Sequence, residues 1–353
     1  MTMKPKKIPI PMLQERFPVR TLVVILILLL SISGCQKRSL PPQSQLQLGT
    51  VCTINLFEAG TTELYIQMFQ RLKEIEQVFS TKLAASTLSQ VNQAAGIAAV
   101  VVPEELVLVL QEALRIAERT GGAFDPTVGP LVRLWDIGGD NSRVPSPEEI
   151  DHARSLVDWR LVEIDPAAST VYLPRQGMAL DLGGIAKGYA ADQLVAIAQE
   201  SGLERALIDL GGNIYAYGTK ADGSSWRVGV KDPANPTGSP ALALSVWNRS
   251  VVTSGMYERF FEQEGIRYHH ILNPATGYPI QNDIQSVTIV STSSLLADAL
   301  STSVFILGRE RGLRLLESEA AEGVIIGEDR GVYATSGLAN QLSVVVSRYQ
   351  LAD

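Results

Sequence analysis

His269 and His270 stand side by side in "RYHHILNPATGYP", and the rest of the chain holds one other histidine, His152. An imidazole titrates near neutral pH, so a histidine ahead of a turn is a candidate proton acceptor. Adjacent strand residues point to opposite faces. One of the pair is therefore expected to face the core or a site, and the other solvent. That opposition argues against shared zinc, because the two rings cannot reach one ion and no cysteine or third histidine lies nearby. The following turn, Asn273 to Gly277, offers backbone N–H groups and the Thr276 hydroxyl to an anion.

Three further stretches carry polar groups that need a reason. In "LDLGGIAKGYAADQLVAIAQESG" (180–202) a strand ends at Asp181-Leu182, two glycines turn, and a helix follows. Such a turn presents free N–H groups and the positive end of the helix dipole, which can hold a phosphate. Lys187 falls in the first helical turn, where the dipole favours acids instead. A phosphate nearby explains the lysine; so does a plain tight turn with a solvated side chain. In "LLADALSTSVF" (295–305) Asp298 and Thr302 are four apart and project from one helical face among apolar neighbours. A buried acid needs a partner. Two hard oxygens on one face suit Mg²⁺, which keeps coordination places for substrate phosphates; a bond to neighbouring backbone is the plainer alternative. In "TGGAFDPTVGPL" (120–131) Asp125 follows an aromatic inside a glycine-bounded loop. Ordinary turn chemistry accounts for that, as does a ring-packing loop whose acid holds an amide or hydroxyl.

The elements that must position these groups follow from periodicity. "LGTVCTINLF" (48–57) alternates and predicts a strand. Leu64, Met68, Leu72, Ile75 and Phe79 predict a helix over 61–79, and Leu106, Leu110, Leu114 and Ala117 another over 103–120, stopped by Gly121-Gly122. Ser146-Pro147-Glu148-Glu149 has the form of a capping box with proline at the first helical position. Two short strands are expected in 169–182, then a helix, strands near 205–210, 226–230, 242–246, 250–253 and 286–291, a helix over 294–307 and a hairpin over 323–336. Strands and helices intersperse without a steady β-α-β rhythm. That predicts an α+β fold with mainly antiparallel sheets and packed helices, as one large domain or two interlocked subdomains. Asp181-Leu182-Gly183-Gly184 is echoed by Asp209-Leu210-Gly211-Gly212.

The N-terminus stands apart. Lys4, Lys6, Lys7, Arg16 and Arg20 precede the apolar run Leu22 to Leu30, and Ile32-Ser33-Gly34-Cys35 follows. The run is short for a bilayer span and has the flanks of a signal peptide. The ending resembles a bacterial lipobox, which predicts cleavage after residue 34 and lipid on Cys35; an uncleaved anchor helix is the alternative. Residues 35–47 are then expected to be a polar, proline-bearing tether, and 48–353 the functional domain. Both readings place the body outside the cytoplasm, on the periplasmic side. With Cys35 lipidated, Cys52 is alone, and its alternation with apolar neighbours predicts a small core residue. The formal net charge is −7, and the leader holds five of the basic residues. So acidic a body argues against nucleic acid as a partner.

Taken together the stretches resemble one family, the FAD:protein FMN transferases, formerly called thiamine-biosynthesis lipoproteins. "LGT" (48–50), "STLSQVN" (86–92), "GAFDPTVGPL" (122–131), "LDLGGIAKGYAAD" (180–192), "LIDLGGNIYAYG" (207–218), "TSGMYERFF" (253–261), "HHILNPATGYPI" (269–280) and "ADALSTSVFILG" (297–308) carry the likeness in order. The resemblance implies transfer of FMN from FAD to a threonine or serine hydroxyl of an acceptor protein, with AMP leaving. The implied acceptor is a membrane redox-complex subunit or a secreted flavoprotein. It implies Mg²⁺ held by the backbone carbonyl of Gly184 and the side chains of Asp298 and Thr302. It implies FAD contacts from Ala123, Phe124, Asp125, Asp181 and Lys187, and makes His270 the site histidine with His269 facing away. Where the family usually has a bulky residue near the flavin, this chain has Lys82; it also has Thr87 where an acid is common and Met256 in place of a polar residue. Two other functions share these residues: a metal-dependent FAD pyrophosphatase using water as acceptor, and a non-catalytic FAD-binding lipoprotein.

Overall fold

The computed structural model describes residues 40–352 and, apart from them, only Thr2. The apolar run and Cys35 lie outside the described residues. From the N-terminus run β1 (Gln43–Gln47), β2 (Thr50–Asn55), α1 (Thr62–Phe79), α2 (Thr87–Gln93), β3 (Val100–Val101), α3 (Glu104–Thr120), α4 (Gly129–Trp135), α5 (Pro147–Arg154), β4 (Glu163–Asp165), β5 (Thr170–Tyr172) and α6 (Ala186–Glu200). There follow β6 (Ala206–Leu210), β7 (Asn213–Tyr217), β8 (Trp226–Val230), β9 (Leu242–Val246), β10 (Arg249–Gly255), β11 (Phe260–Gln263), β12 (Ile266–His269) and β13 (Ile284–Ser291). The chain closes with α7 (Ser294–Leu307), α8 (Arg309–Ser318), β14 (Glu322–Gly327), β15 (Gly331–Ala334), β16 (Leu342–Val344) and β17 (Gln350–Leu351).

A nine-stranded sheet in the order β1-β2-β6-β7-β10-β13-β14-β15-β17 forms the centre. Its pairings are antiparallel except β15 with β17. The expected α+β class with mainly antiparallel sheets is what the fold shows. Both faces of the sheet are covered, and alternation along the central strands feeds two cores. Val252, Val287, Ile289 and Ile325 join the helical side, with Leu194 of α6 and Leu300 of α7. Val251, Val290, Val324 and Ile326 join the other, under the small sheet β16-β9-β8 with Val228, Leu242 and Leu244. Each fully buried Leu or Ile contributes roughly 1.5–3 kcal/mol relative to exposure, so the two cores together fix the sheet. A third cluster, Leu131, Trp135, Ile150, Ala153 and Leu272, binds α4 and α5 to the β11–β12 hairpin through Phe261 and Tyr268. That hairpin is a separate two-stranded sheet; His269 is its last residue and His270 follows directly.

Local chemistry sets the helix ends. The Thr61 hydroxyl accepts from Leu64 N, Ser146 and Glu149 complete the expected capping box, and Gly121 ends α3 in the left-handed region at φ 64°. Two expectations fail. Residues 43–47 are not a tether: they pair with β2 as the sheet's edge strand, Gln43 opposite Ile54 and Gln47 opposite Thr50. A polar edge strand lacks the buried, alternating apolar face that marks a strand in sequence. Residues 169–182 hold one strand, not two; after β5 the chain runs to a single parallel bridge between Ala179 and Val128.

Candidate active site

The strand end before α6 is clamped on both sides. Asn92 brackets Leu180, donating to its carbonyl at 2.9 Å and accepting from its N–H at 2.7 Å, and Asp181 N–H donates to Pro126 O at 2.8 Å. The Asp181 carboxylate accepts from Gly183 N–H at 2.9 Å, closing the turn. The echoing Asp209 does the same for Gly212 N–H at 2.8 Å, but there the chain enters β7 rather than a helix. Burial pushes the Asp181 carboxyl up, against the pull of the Gly183 N–H and the charges of Lys82, Lys187 and Arg259.

α6 and α7 meet at Gly188. A Cβ there would lie 2.2 Å from Ser294 O and 2.8 Å from Asp298 Cβ, so only glycine permits this approach. The contact lets Gly188 N–H donate to Asp298 Oδ2 at 2.9 Å. Asp192 fixes the other end of the crossing: its carboxylate accepts from Ser294 N–H at 2.8 Å and Leu295 N–H at 3.0 Å, capping α7. Asp192 belongs to the "AAD" of the first glycine motif, and its capping role is not visible without the fold.

Asp298 and Thr302 project together, as their spacing predicts. Asp298 is 4 % exposed, and its Oδ1 lies 3.7 Å from Lys187 Nζ, which also donates to Gly183 O at 3.1 Å. The neighbouring hydroxyls of Ser301 and Ser303 are spent on helix carbonyls, Asp298 O and Ala299 O. Thr302 makes no such bond among the described residues. Instead its Oγ1 faces Gly184, 3.2 Å from where a Cβ on that glycine would stand, with Phe124 Cε2 at 3.3 Å from the same point. Gly184, Thr302, Phe124, Lys187 and Asp298 are thus brought together from three segments.

Asp298 and Thr302 offer a carboxylate and a hydroxyl left without an internal partner, hard oxygens that would suit Mg²⁺ and leave places for substrate phosphates. Among the described residues no three His, Cys, Asp or Glu side chains converge to hold a metal.

Asp125 holds amides and a hydroxyl of its own loop and of Trp159. Its Oδ1 accepts from Thr127 N–H at 2.8 Å and Thr127 Oγ1 at 2.6 Å, and its Oδ2 from Trp159 N–H at 3.3 Å. The carboxylate is 8 % exposed, and burial pushes it up despite those bonds. It braces the loop that presents Ala123 and Phe124; ordinary turn chemistry, writ large, describes it. Lys82 is 83 % exposed on its side chain and pairs with Asp136 at 3.6 Å, across from Asp181, whose carboxyl its charge stabilises.

The histidines correct the expected roles of inside and outside. His269, expected to face solvent, is 3 % exposed; its Nε2 bonds Ile280 O at 2.8 Å and its ring meets Phe305 edge-on, centroids 5.8 Å apart. His270 is half-buried on the other face. The rings diverge as alternation requires: His269 meets Phe305 of the core, and His270 lies on the side of Arg259 and Lys187. His270 N–H donates to Arg259 O at 3.1 Å, and its Nδ1 lies 3.3 Å from the same carbonyl. That oxygen accepts, so Nδ1 carries the proton and Nε2 is left as the acceptor. Burial, then the Arg259 charge, lower the His270 pKa to about 3, keeping the ring neutral. Arg259 and Glu258, in the turn before β11, are site neighbours that sequence reading missed. Glu258 pairs with Lys231 at 3.9 Å, and burial pushes it up against the charges of Lys231, Lys187 and Arg259. Two shallow hollows, about 260 Å³ by Glu163 and Tyr172 and about 300 Å³ by Glu58 and Arg205, lie away from these residues and gather no comparable set.

Comparison with known proteins supplies the family. The profile of the ApbE family matches residues 48–325. A protein named FAD:protein FMN transferase from Treponema pallidum is 39 % identical over 349 residues, covering 93 % of this chain and 96 % of that one. One of the same name from Klebsiella pneumoniae is 36 % identical over 288 residues, covering 81 % and 89 %. The solved structure of the flavin transferase ApbE from Vibrio cholerae superposes with a TM-score of 0.77 at 30 % identity, over 85 % of this chain and 98 % of that one.

Proposed function

From the fact that the chain belongs to the ApbE family, we propose that it transfers FMN from FAD to a threonine or serine hydroxyl of an acceptor protein, releasing AMP and requiring Mg²⁺. The observation that carries this is the convergence of Gly184, Asp298 and Thr302 beside Lys187 and the start of α6, with a neutral histidine held by Arg259 O within reach of the Lys187 charge. A transferring phosphoryl group spreads charge over its oxygens, and an enzyme answers with cations, N–H groups and alignment rather than a covalent nucleophile.

The residues divide the work as follows. Lys187 and the N–H groups at the start of α6 hold pyrophosphate oxygens. Phe124, 5 % exposed in the core, backs Gly184 from beneath and so supports the floor on which the dinucleotide lies. Gly184, Asp298 and Thr302 would hold Mg²⁺, which when bound neutralises charge developing on the phosphates. His270 Nε2 takes the acceptor's hydroxyl proton as its oxygen forms the new bond to the FMN phosphorus. The bond from that phosphorus to the bridging oxygen breaks, and AMP departs with the electron pair. Negative phosphates beside the ring raise its basicity above that of the free site.

The acceptor is a membrane redox-complex subunit or a secreted flavoprotein, reached from the periplasmic side by a domain held to the membrane through lipid on Cys35. Incubation with FAD, Mg²⁺ and a candidate acceptor domain tests the chemistry. Flavin fluorescence that stays on the acceptor in a denaturing gel supports transfer. AMP without labelled acceptor makes the protein an FAD pyrophosphatase, and bound FAD with no AMP makes it a binding protein.

A further inference from the structure

Arg259 is the last residue of the turn between β10 and β11; its carbonyl holds the site histidine, and its charge acts on Asp181 and His270. Its carbonyl is committed to His270, accepting from the backbone N–H at 3.1 Å and lying 3.3 Å from Nδ1. Its side chain runs the other way, over Gly138: its Cδ is 3.5 Å from where a Cβ on that glycine would stand. The guanidinium then reaches one protein acceptor, Gly49 O at 3.3 Å. The nearby cations are each beside a carboxylate: Lys82 with Asp136, Lys231 with Glu258 and Lys187 with Asp298. Among the described residues Arg259 has no such partner. An arginine fork has five donors matched to paired oxygens, and here a single bond to the protein, Gly49 O, uses it.

We propose that Arg259 is a further phosphate-binding residue of this site, laying its fork on the FAD pyrophosphate next to His270; this rests on the FMN-transfer reading above. The same residue then does two things. Its carbonyl sets the imidazole tautomer, and its guanidinium meets the charge that grows on the phosphoryl oxygens as the acceptor's proton moves to Nε2. Arg259 itself gains and loses no proton and forms no bond to phosphorus. A lysine would keep the charge but not the fork.

Inorganic pyrophosphate is the probe, because it carries the phosphates without either ring system. Its affinity is read by displacement of FAD from the full folded domain, in wild type, Arg259→Gln and Arg259→Lys. Loss of a charge-assisted pair predicts pyrophosphate binding weaker by about ten- to a hundredfold in Arg259→Gln, with Arg259→Lys between. A loss of threefold or more supports the assignment. An affinity within threefold of wild type overturns it, whatever happens to FAD. Should Arg259→Gln fail to fold, Arg259→Lys is judged by the same threshold. Wild type that binds FAD but not pyrophosphate also overturns the assignment, while wild type that binds neither removes the FMN-transfer reading beneath it.

Discussion

Gly188→Ala isolates the contact on which the site geometry depends. The added methyl would sit 2.2 Å from Ser294 O, 2.6 Å from Ser294 C and 2.8 Å from Asp298 Cβ. The first two are backbone atoms in the first turn of α7, held by Asp192, so no side-chain rotation relieves the clash. α6 and α7 must separate by about an ångström. Overpacking of this kind costs roughly 1–3 kcal/mol. The 2.9 Å bond from Gly188 N–H to Asp298 Oδ2 is stretched or lost as well, and a bond to a charged group is worth about 1.5–3 kcal/mol. Part of each relaxes, so the expected destabilisation is about 2–5 kcal/mol. Urea unfolding at neutral pH, with Mg²⁺ titration of the folded variant by calorimetry, measures both consequences. The reasoning predicts that weakened folding and weakened Mg²⁺ binding appear together. A variant less than about 1 kcal/mol less stable than wild type, with unchanged Mg²⁺ affinity, would refute the claim that this glycine sets the metal site.

Asp298→Ala should abolish measurable Mg²⁺ binding in calorimetry while the protein remains folded by circular dichroism; unchanged affinity would move the metal elsewhere. His270→Ala should slow single-turnover transfer by roughly 10²–10⁴, the span of general acid–base catalysis, whereas His269→Ala should lower stability through the lost Ile280 bond and Phe305 contact. The reverse pattern would contradict the assigned faces. His270 has a folded pKa near 3 against 6.5 for the free side chain, so the unfolded chain binds more protons between those values and stability must fall as pH drops below about 6.5. Thermal midpoints of His270→Gln should be less sensitive to acid over that window than those of wild type, and equal slopes would rule the ring out. Cys35→Ser should leave an unprocessed protein without lipid label; a processed, lipid-labelled variant would place the anchor elsewhere.

What the sequence makes legible here is periodic or paired within one element. Asp298 and Thr302 are neighbours on any helix, and Lys187 is conspicuous at a helix start. Their meeting with Gly184 and Phe124 depends on Gly188 and Asp192, which hold two helices a hundred residues apart in the chain. The stretch leading into the 182–188 turn and the loop after Phe124 are joined by backbone bonds, Asp181 N–H to Pro126 O and Gly129 N–H to Ala179 O, which have no side-chain signature. Alternation at His269 and His270 says that the rings diverge but not which side is core, because that is decided by Phe305 and Ile280, which come from outside the hairpin. Arg259 looks like any charge in a polar stretch until β11 folds against β12 and places it beside His270. The polar strand at 43–47 reads as linker because its partner, not its own side chains, makes it a strand.

The central claim is that the FMN half of FAD ends on a protein hydroxyl while AMP leaves. Intact-mass spectrometry of the acceptor domain, run alongside AMP quantification in one reaction with FAD and Mg²⁺, tests it most directly. The predicted result is an acceptor heavier by one FMN with AMP released one for one, both absent with Asp298→Ala and after chelation. AMP accumulating with the acceptor mass unchanged, across acceptors that other flavin transferases label, would contradict it.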